Sequence, residues 1–270
     1  MRELFQRNHF DSNVITICIG IGSSLLLLSN DQSFVCYFDV PKNEIQYRSR
    51  ARFIQNFTSK CELTAKEAYK RFYFVDWPVL NRHKAQLLSR IDIYVDDQRD
   101  QEPTWMWGQD LRQSLTQLTT SLIRVRPWFE PGVWGGSWMK SHLENLAKDT
   151  VNYAWSFELI SPENGIILCD EQSDLMLEFS FDLLMYHNNE ALMGHECAQR
   201  FGHEFPIRFD FLDTFDGDNL SVQCHAGREY LKKHFGETMP QDESYYILDA
   251  KEDAQVYLGF QENICKEEFK

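Results

Sequence analysis

Residues 205–260 read FPIRFDFLDTFDGDNLSVQCHAGREYLKKHFGETMPQDESYYILDAKEDAQVYLGF. Short apolar runs alternate here with Gly, Asp, Asn and Pro, the pattern of brief strands joined by turns. Gln223 and His225 stand two apart in the run Leu220–His225, so a strand there projects both side chains from one face. Glu243 opens the run ESYYIL, and pairing that run beside the first brings its carboxylate to the same face. An imidazole, a carboxylate and an amide oxygen suit a divalent ion such as zinc, with positions left open for a substrate. Taken by spacing alone, one His and one Gln on a strand equally describe ordinary polar packing.

The same short-strand pattern extends back to Arg124, with runs at 153–160, 165–168, 175–179 and 207–212 and another following at 245–248. Many short strands with turn signals predict a sandwich or barrel. Before Arg124 the chain instead alternates strand-like runs with helical periodicity, as an α/β unit does. Phe34–Val40 is a predicted strand ended by Pro41, and Thr64-Ala-Lys-Glu67 is a capping box opening a helix through Tyr69 and Phe72. Leu80, Leu87, Leu88 and Ile91 share one face of a second helix, and Ile91–Val95 forms a short strand after it. A third helix begins at Gly108 and carries Leu111, Leu115, Leu118 and Leu122. The pattern changes between Leu122 and Pro127, dividing the chain into an α/β segment, 1–123, and a mostly β part, 124–270.

With 43% hydrophobic and 14% aromatic residues among 270, the chain can bury a sizeable core. The net charge of −14 excludes a broad nucleic-acid surface, which needs clustered Lys and Arg. It leaves room for a sugar phosphate, because one or two local cations hold a single phosphate. Seven cysteines, odd in number and without a CxxC pair, read as reduced thiols of a cytoplasmic protein, packed in its core. The apolar run Val14–Ser29 is short for a membrane span and is interrupted by glycines and serines. Arg2 and Arg7 precede it, yet no clean cleavage site follows, so it reads as a buried strand turning at Gly20 and Gly22 rather than a leader or membrane segment.

The first region offers little chemistry. Gly20-Ile-Gly22-Ser-Ser24 follows an apolar run as a phosphate loop would, but no Lys occurs between Arg7 and Lys42 to reach a phosphate. Asp76-Trp77-Pro78 and Asn81-Arg82-His83-Lys84 read as a solvated helix face beside an aromatic anchor. Asp92, Asp96, Asp97 and Asp100 read as a solvated acidic edge.

Five elements of the second region carry a resemblance. Gly132-Val-Trp-Gly-Gly136, Phe205-Pro206 with Phe211-Leu-Asp213, Leu220-Ser-Val-Gln-Cys-His225, Gln241-Asp-Glu-Ser-Tyr-Tyr-Ile-Leu-Asp249 and Val256-Tyr-Leu-Gly-Phe260 resemble, in order, class I (cupin-type) mannose-6-phosphate isomerases. The resemblance covers roughly residues 125–270. It implies a metal-dependent aldose–ketose isomerase that interconverts mannose 6-phosphate and fructose 6-phosphate. By position it implies Zn2+ held by Gln223, His225 and Glu243, with Ser221 facing the sugar. Residues 70–124 are similar to an upstream region of longer members, and the upstream part resembles a degenerate kinase-like α/β domain.

The departures from the family pattern are specific. Ala226 replaces a proline after the metal His, Asp210 falls at or near a position where a lysine is common, and Gln241 replaces a second lysine, so that either other cations such as Arg208 handle the phosphate and transition-state charge or the activity is altered. The family's fourth ligand is a His in a Gly-Thr-x-His element, and no His follows His234 here. The implied architecture is therefore an α/β N-terminal segment followed by a mostly β, cupin-type (jelly-roll) barrel that is incomplete, with strand edges exposed. Two further readings follow from the lost groups. One is a non-catalytic sugar-phosphate-binding cupin. The other is an inactive fragment or split product that acts with a complementary polypeptide carrying the rest of the barrel.

Overall fold

The computed structural model describes residues 14–26, 33–57, 59, 62–161, 163–237, 239–257, 259–260 and 262–269. Arg2, Arg7, Cys61 and the end of the apolar run at 27–29 lie outside these residues.

Strand β1 (Cys36–Asp39) ends where Pro41 cannot donate to a ladder, and α1 (Lys42–Arg50) follows. The predicted capping box is formed: the Thr64 hydroxyl accepts from Glu67 N while the Glu67 carboxylate accepts from Thr64 N, opening α2 (Ala65–Arg71). One π turn, Phe72–Asp76, joins α2 to α3 (Trp77–Leu87). These helices form the crossover that lets β2 (Ile93–Asp96) lie parallel to β1. β3 (Thr104–Trp107) then returns antiparallel to β2, giving the sheet order β1-β2-β3.

Helix α4 (Gly108–Leu118) buries Leu111 and Leu115 completely. It starts at a glycine because any Cβ on Gly108 would overlap the Ile91 carbonyl. Leu122, expected on the same helical face, lies beyond the helix and is fully exposed. The hydroxyls of Thr119, Thr120 and Ser121 bond back to the carbonyls of Thr116 and Gln117 and stop the helix before it.

In the second region β4 (Trp128–Glu130) is followed by α5 (Trp138–His142), β5 (Trp155–Leu159), β6 (Gly165–Cys169) and β7 (Met176–Ser180). Helices α6 (Asp182–Met193) and α7 (His195–Phe201), strand β8 (Phe209–Leu212) and helix α8 (Arg228–Phe235) complete the part that matters here. β6 and β7 form an antiparallel hairpin, and a second sheet runs β4-β5-β8 with β8 at its edge. The architecture is thus mixed helices and small sheets, and none of these sheets closes into a barrel.

One core spans both regions. Leu87, Leu88, Ile91, Tyr94, Leu111 and Leu115 pack with Val125, Ile166, Leu177, Phe179 and the start of α6. Beside it lies a buried ionic network. Lys42 Nζ is 2.6 Å from Asp182 Oδ2, and Lys84 Nζ is 2.6 Å from Asp39 Oδ2 and 4.0 Å from Asp182 Oδ1. The Tyr94 hydroxyl donates to Asp39 Oδ2 at 2.9 Å. Lys84 is therefore no part of a solvated helix face, although Trp77 is the buried anchor expected beside it. The helix turns inward because two carboxylates wait for the ammonium.

Four other expectations are corrected. Val14, Ile15, Ile17 and Ile19 are exposed and form no strand, although the turn with positive φ at Gly20 and Gly22 is present. No element of the described residues packs over that run, so its hydrophobicity has nothing to bury it. Asp92 and Asp96 are braces rather than a solvated edge: Asp92 Oδ2 accepts from Val35 N, and fully buried Asp96 accepts from Glu178 N. The six described cysteines are free thiols as expected, but they lie outside the core, at strand ends, on irregular chain and, for Cys197, on α7; five are exposed and Cys197 is partly so. The runs Leu220–His225 and Tyr245–Leu248 are irregular rather than strands. Their alternation faces solvent on both sides, with Val222 90% exposed, and neither finds a ladder partner among the described residues.

Candidate metal centre

The site is framed by β8 and the Gly132–Gly136 turn. Gly136 N donates to Tyr153 O at 3.1 Å and to Asp213 O at 2.8 Å, joining the turn to β5 and to the end of β8. The buried Asp213 carboxylate accepts from Met139 N at 2.8 Å and Phe215 N at 3.0 Å, which locks the start of α5 against the chain leaving β8. Trp134 packs edge-on against Trp155 with centroids 4.6 Å apart. Further along, the Trp138 indole N–H donates to Asp249 Oδ2 at 2.8 Å and ties the segment that follows Glu243 onto α5.

Across this frame, two of the three expected metal ligands meet. His225 Nε2 lies 2.9 Å from Glu243 Oε2, 18 residues away in sequence. The other Glu243 oxygen accepts from the Tyr245 hydroxyl at 3.3 Å. Burial, then the Glu243 charge, pushes the Asp210 carboxyl above the usual range and raises the Tyr245 phenol as well. Asp210 and Glu243 thus gather negative charge on the edge side of β8, in the field of one imidazole.

Gln223 and Ser221 lie on the same exposed stretch and make no hydrogen bond among the described residues. Arg208 points into a different cluster. Its Nη2 donates to the Tyr73 hydroxyl at 3.3 Å, and its charge acts on Glu163 and Glu237. The π turn positions Tyr73 for that contact. Among the described residues no three His, Cys, Asp or Glu side chains gather closely enough for a metal ion. The donors that do converge are one imidazole nitrogen and one carboxylate oxygen. Both are of the type a zinc ion takes, and their separation suits two ligands of one ion.

Sequence reasoning misses Tyr245 and Asp249 as functional residues. The signal for Tyr245 is its position two residues after Glu243 in an extended segment, which turns both side chains the same way. No comparable local signal marks Trp138 and Asp249, whose contact spans 111 residues.

No helix among the described residues is long and apolar enough to cross a membrane. Compared with known families, residues 2–120 match a family described as Domain of unknown function (DUF8485). The chain is 39% identical over 66 residues to the probable mannose-6-phosphate isomerase GmuF of Bacillus subtilis (strain 168), which covers 24% of this chain and 20% of that protein. It is 25% identical over 142 residues to the mannose-6-phosphate isomerase ManA of the same organism, covering 53% of this chain and 42% of that protein. No solved structure matches. The chain spans less than half the length of the curated relatives it matches, and its similarity to mannose-6-phosphate isomerases is partial and distant.

Proposed function

We propose that this chain is a cytoplasmic sugar-phosphate isomerase of the mannose-6-phosphate isomerase type, interconverting mannose 6-phosphate and fructose 6-phosphate. The observation that carries the reading is the 2.9 Å approach of His225 to Glu243, two residues that the resemblance assigns to one metal. In this reading Gln223, His225 and Glu243 hold a zinc ion, which when bound supplies Lewis-acid stabilisation of the charge on two sugar oxygens. Tyr245 fixes the carboxylate by donating to Glu243 Oε1. Ser221 lies on the ligand-bearing stretch, where it can face the sugar, and Arg208 would reach the phosphate only by leaving its contact with the Tyr73 hydroxyl.

A second reading is favoured by the edge of β8, which has no ladder partner among the described residues, and the exposed runs at 220–225 and 245–248. It holds that the site is completed by a complementary polypeptide adding strands there, and that alone the chain only binds a sugar phosphate. The two readings separate in one experiment. Zinc content and coupled turnover of fructose 6-phosphate are measured for the wild type, Gln223→Ala and His225→Ala. Metal and turnover lost in both variants support the isomerase, and bound metal without turnover supports the second reading. Metal-free, inactive protein with unchanged variants overturns the isomerase reading for this chain.

A further inference from the structure

The two faces of the sheet β1-β2-β3 are treated differently. Tyr37, Tyr94 and Met106 stand in register on one face, which packs onto the core with Leu87 of α3 and with Leu111 and Leu115 of α4. The alternate residues form the other face. Cys36, Ile93 and Trp107 make one row and Phe38, Val95 and Trp105 the next, with Phe34 leading into β1 two residues ahead of Cys36. Neither row holds a charge. Phe34, Phe38, Trp105 and Trp107 are each at least half exposed, and the two tryptophans pack edge-on with centroids 5.5 Å apart. A sheet face of this composition needs a layer over it, and none of the described residues supplies one.

Upstream lies a second bare apolar element. Ile15, Ile17, Ile19 and Ile21 alternate with Thr16, Cys18 and Gly20, so an extended run turns all four isoleucines to one side. Each is at least two-thirds exposed, and residues 14–26 carry no charge. The far end of the run is fastened, with Ser24 Oγ 2.5 Å from His83 Nε2 on α3. That helix lies on the core side of the sheet, where the next residue, Lys84, reaches Asp39. The anchor thus holds the run on the side of the sheet opposite its own bare face.

Size decides between occupants. At about 150–250 Å² for each aromatic side chain, the exposed parts of the four rings come to roughly 450 Å². A stable interface takes about 800 Å² from each partner, so the sheet face alone falls short. The four isoleucines contribute roughly 350 Å² more, and face and run together reach the required area. We propose that two copies of this chain associate about a two-fold axis, each laying residues 15–21 across the Phe38–Trp105 face of the other. A two-fold arrangement uses both surfaces of both copies. Chains of net charge −14 repel one another, and an uncharged interface of this kind is where they can still meet. The dimer involves neither His225 nor Glu243 and is independent of the proposed function.

Sedimentation velocity of the full chain in reducing buffer, over a range of concentrations, tests this. The wild type is expected to dimerise with a dissociation constant of about 1 μM. Ile17→Lys and Trp105→Lys, both at exposed positions, should each weaken the dimer by about a hundredfold, since the two-fold counts each change twice. Leu122→Lys, at an exposed apolar position outside both surfaces, should leave it unchanged. An equimolar mixture of the Ile17→Lys and Trp105→Lys chains should associate more tightly than either variant alone, because one run and one face remain intact across the pair. Ile17 lies on unpaired chain, so its substitution reads the interface even where Trp105→Lys disturbs the sheet. A wild type that stays monomeric at about 100 μM overturns the proposal. So does a dimer indifferent to both variants, or a monomer in which Trp105→Lys strips hydrogen-exchange protection from residues 15–21, which would put the run on its own face.

Discussion

Lys42 Nζ and Asp182 Oδ2 lie 2.6 Å apart in the interior although 140 residues separate them in the chain. The pair, with Lys84 and Asp39 beside it, fastens the upstream α/β segment to α6 of the downstream part. Removing one member leaves a buried charge without its partner. Lys42→Met is therefore expected to cost about 3–5 kcal/mol of unfolding free energy, and Lys42→Met with Asp182→Leu distinctly less. Urea denaturation of both variants checks this, and equal losses in the two would contradict the pairing.

The same network sets a pH dependence. Burial alone would raise the Asp182 carboxyl, but Lys42 and Lys84 more than offset it and hold the group below its ordinary range. Its stabilisation is complete above the unfolded value, about pH 4, and is lost as pH falls through the lower folded value. Glu163 behaves in the opposite sense. Burial raises its carboxyl despite hydrogen bonds from Tyr69 and Gln46, so its ionisation costs stability as pH rises through the folded value. Glu163→Gln keeps an acceptor for the Tyr69 hydroxyl and removes that charge. The variant is expected to be more stable than wild type by roughly 1 kcal/mol at pH 8. The gap should close below about pH 4, where the unfolded glutamate is protonated too. Melting curves across that range decide it, and a gap that widens in acid would reverse the assignment.

Gly136 tests the frame of the candidate site. A Cβ there would overlap Asp213 Oδ1 and the Phe215 backbone, neither of which has room to yield. Asp213 is the buried carboxylate that joins α5 to β8, so the clash propagates to both. Gly136→Ala should cost about 2–3 kcal/mol or more and broaden the near-ultraviolet signals of Trp134 and Trp155. Gly202→Ala serves as the control, because no atom lies near its Cβ position and only its positive φ opposes the change.

What the sequence revealed and what it hid divide by the range of the interaction. The Thr64–Glu67 capping box, the stop at Pro41 and the face Leu111–Leu115 are local, and each is present as read. The runs at 155–159, 165–169, 176–180 and 209–212 are strands because each finds a neighbour. Leu220–His225 and Tyr245–Leu248 carry the same alternation but meet no partner strand among the described residues, and alternation without a partner makes no ladder. Lys84 and Asp96 differ from their sequence reading for the complementary reason. A charged residue reads as solvated until a distant counter-charge or backbone amide is brought to it, and nothing nearby in sequence announces Asp182 or Glu178. His225 and Glu243 were legible as a pair only through the elements around them, whereas Tyr245 needed the geometry.

The candidate metal centre makes the most direct prediction. His225 Nε2 and Glu243 Oε2 are held 2.9 Å apart without help from a third titratable ligand, so a zinc ion entering there exchanges one hydrogen bond for two coordinate bonds. A ligand that binds the folded state alone stabilises it by an amount that grows with its concentration over the dissociation constant. Added zinc at one hundred times that constant should therefore raise the stability of the wild type by about 2.7 kcal/mol. His225→Ala and Glu243→Gln should abolish the rise, since each removes one of the two converging donors. Tyr245→Phe should retain it with affinity reduced by about tenfold, because the hydroxyl only orients Glu243 Oε1. Thermal melts with and without zinc, paired with metal content after gel filtration, make the measurement. A zinc response unchanged by His225→Ala would place the metal elsewhere and remove the basis for assigning the pair to it.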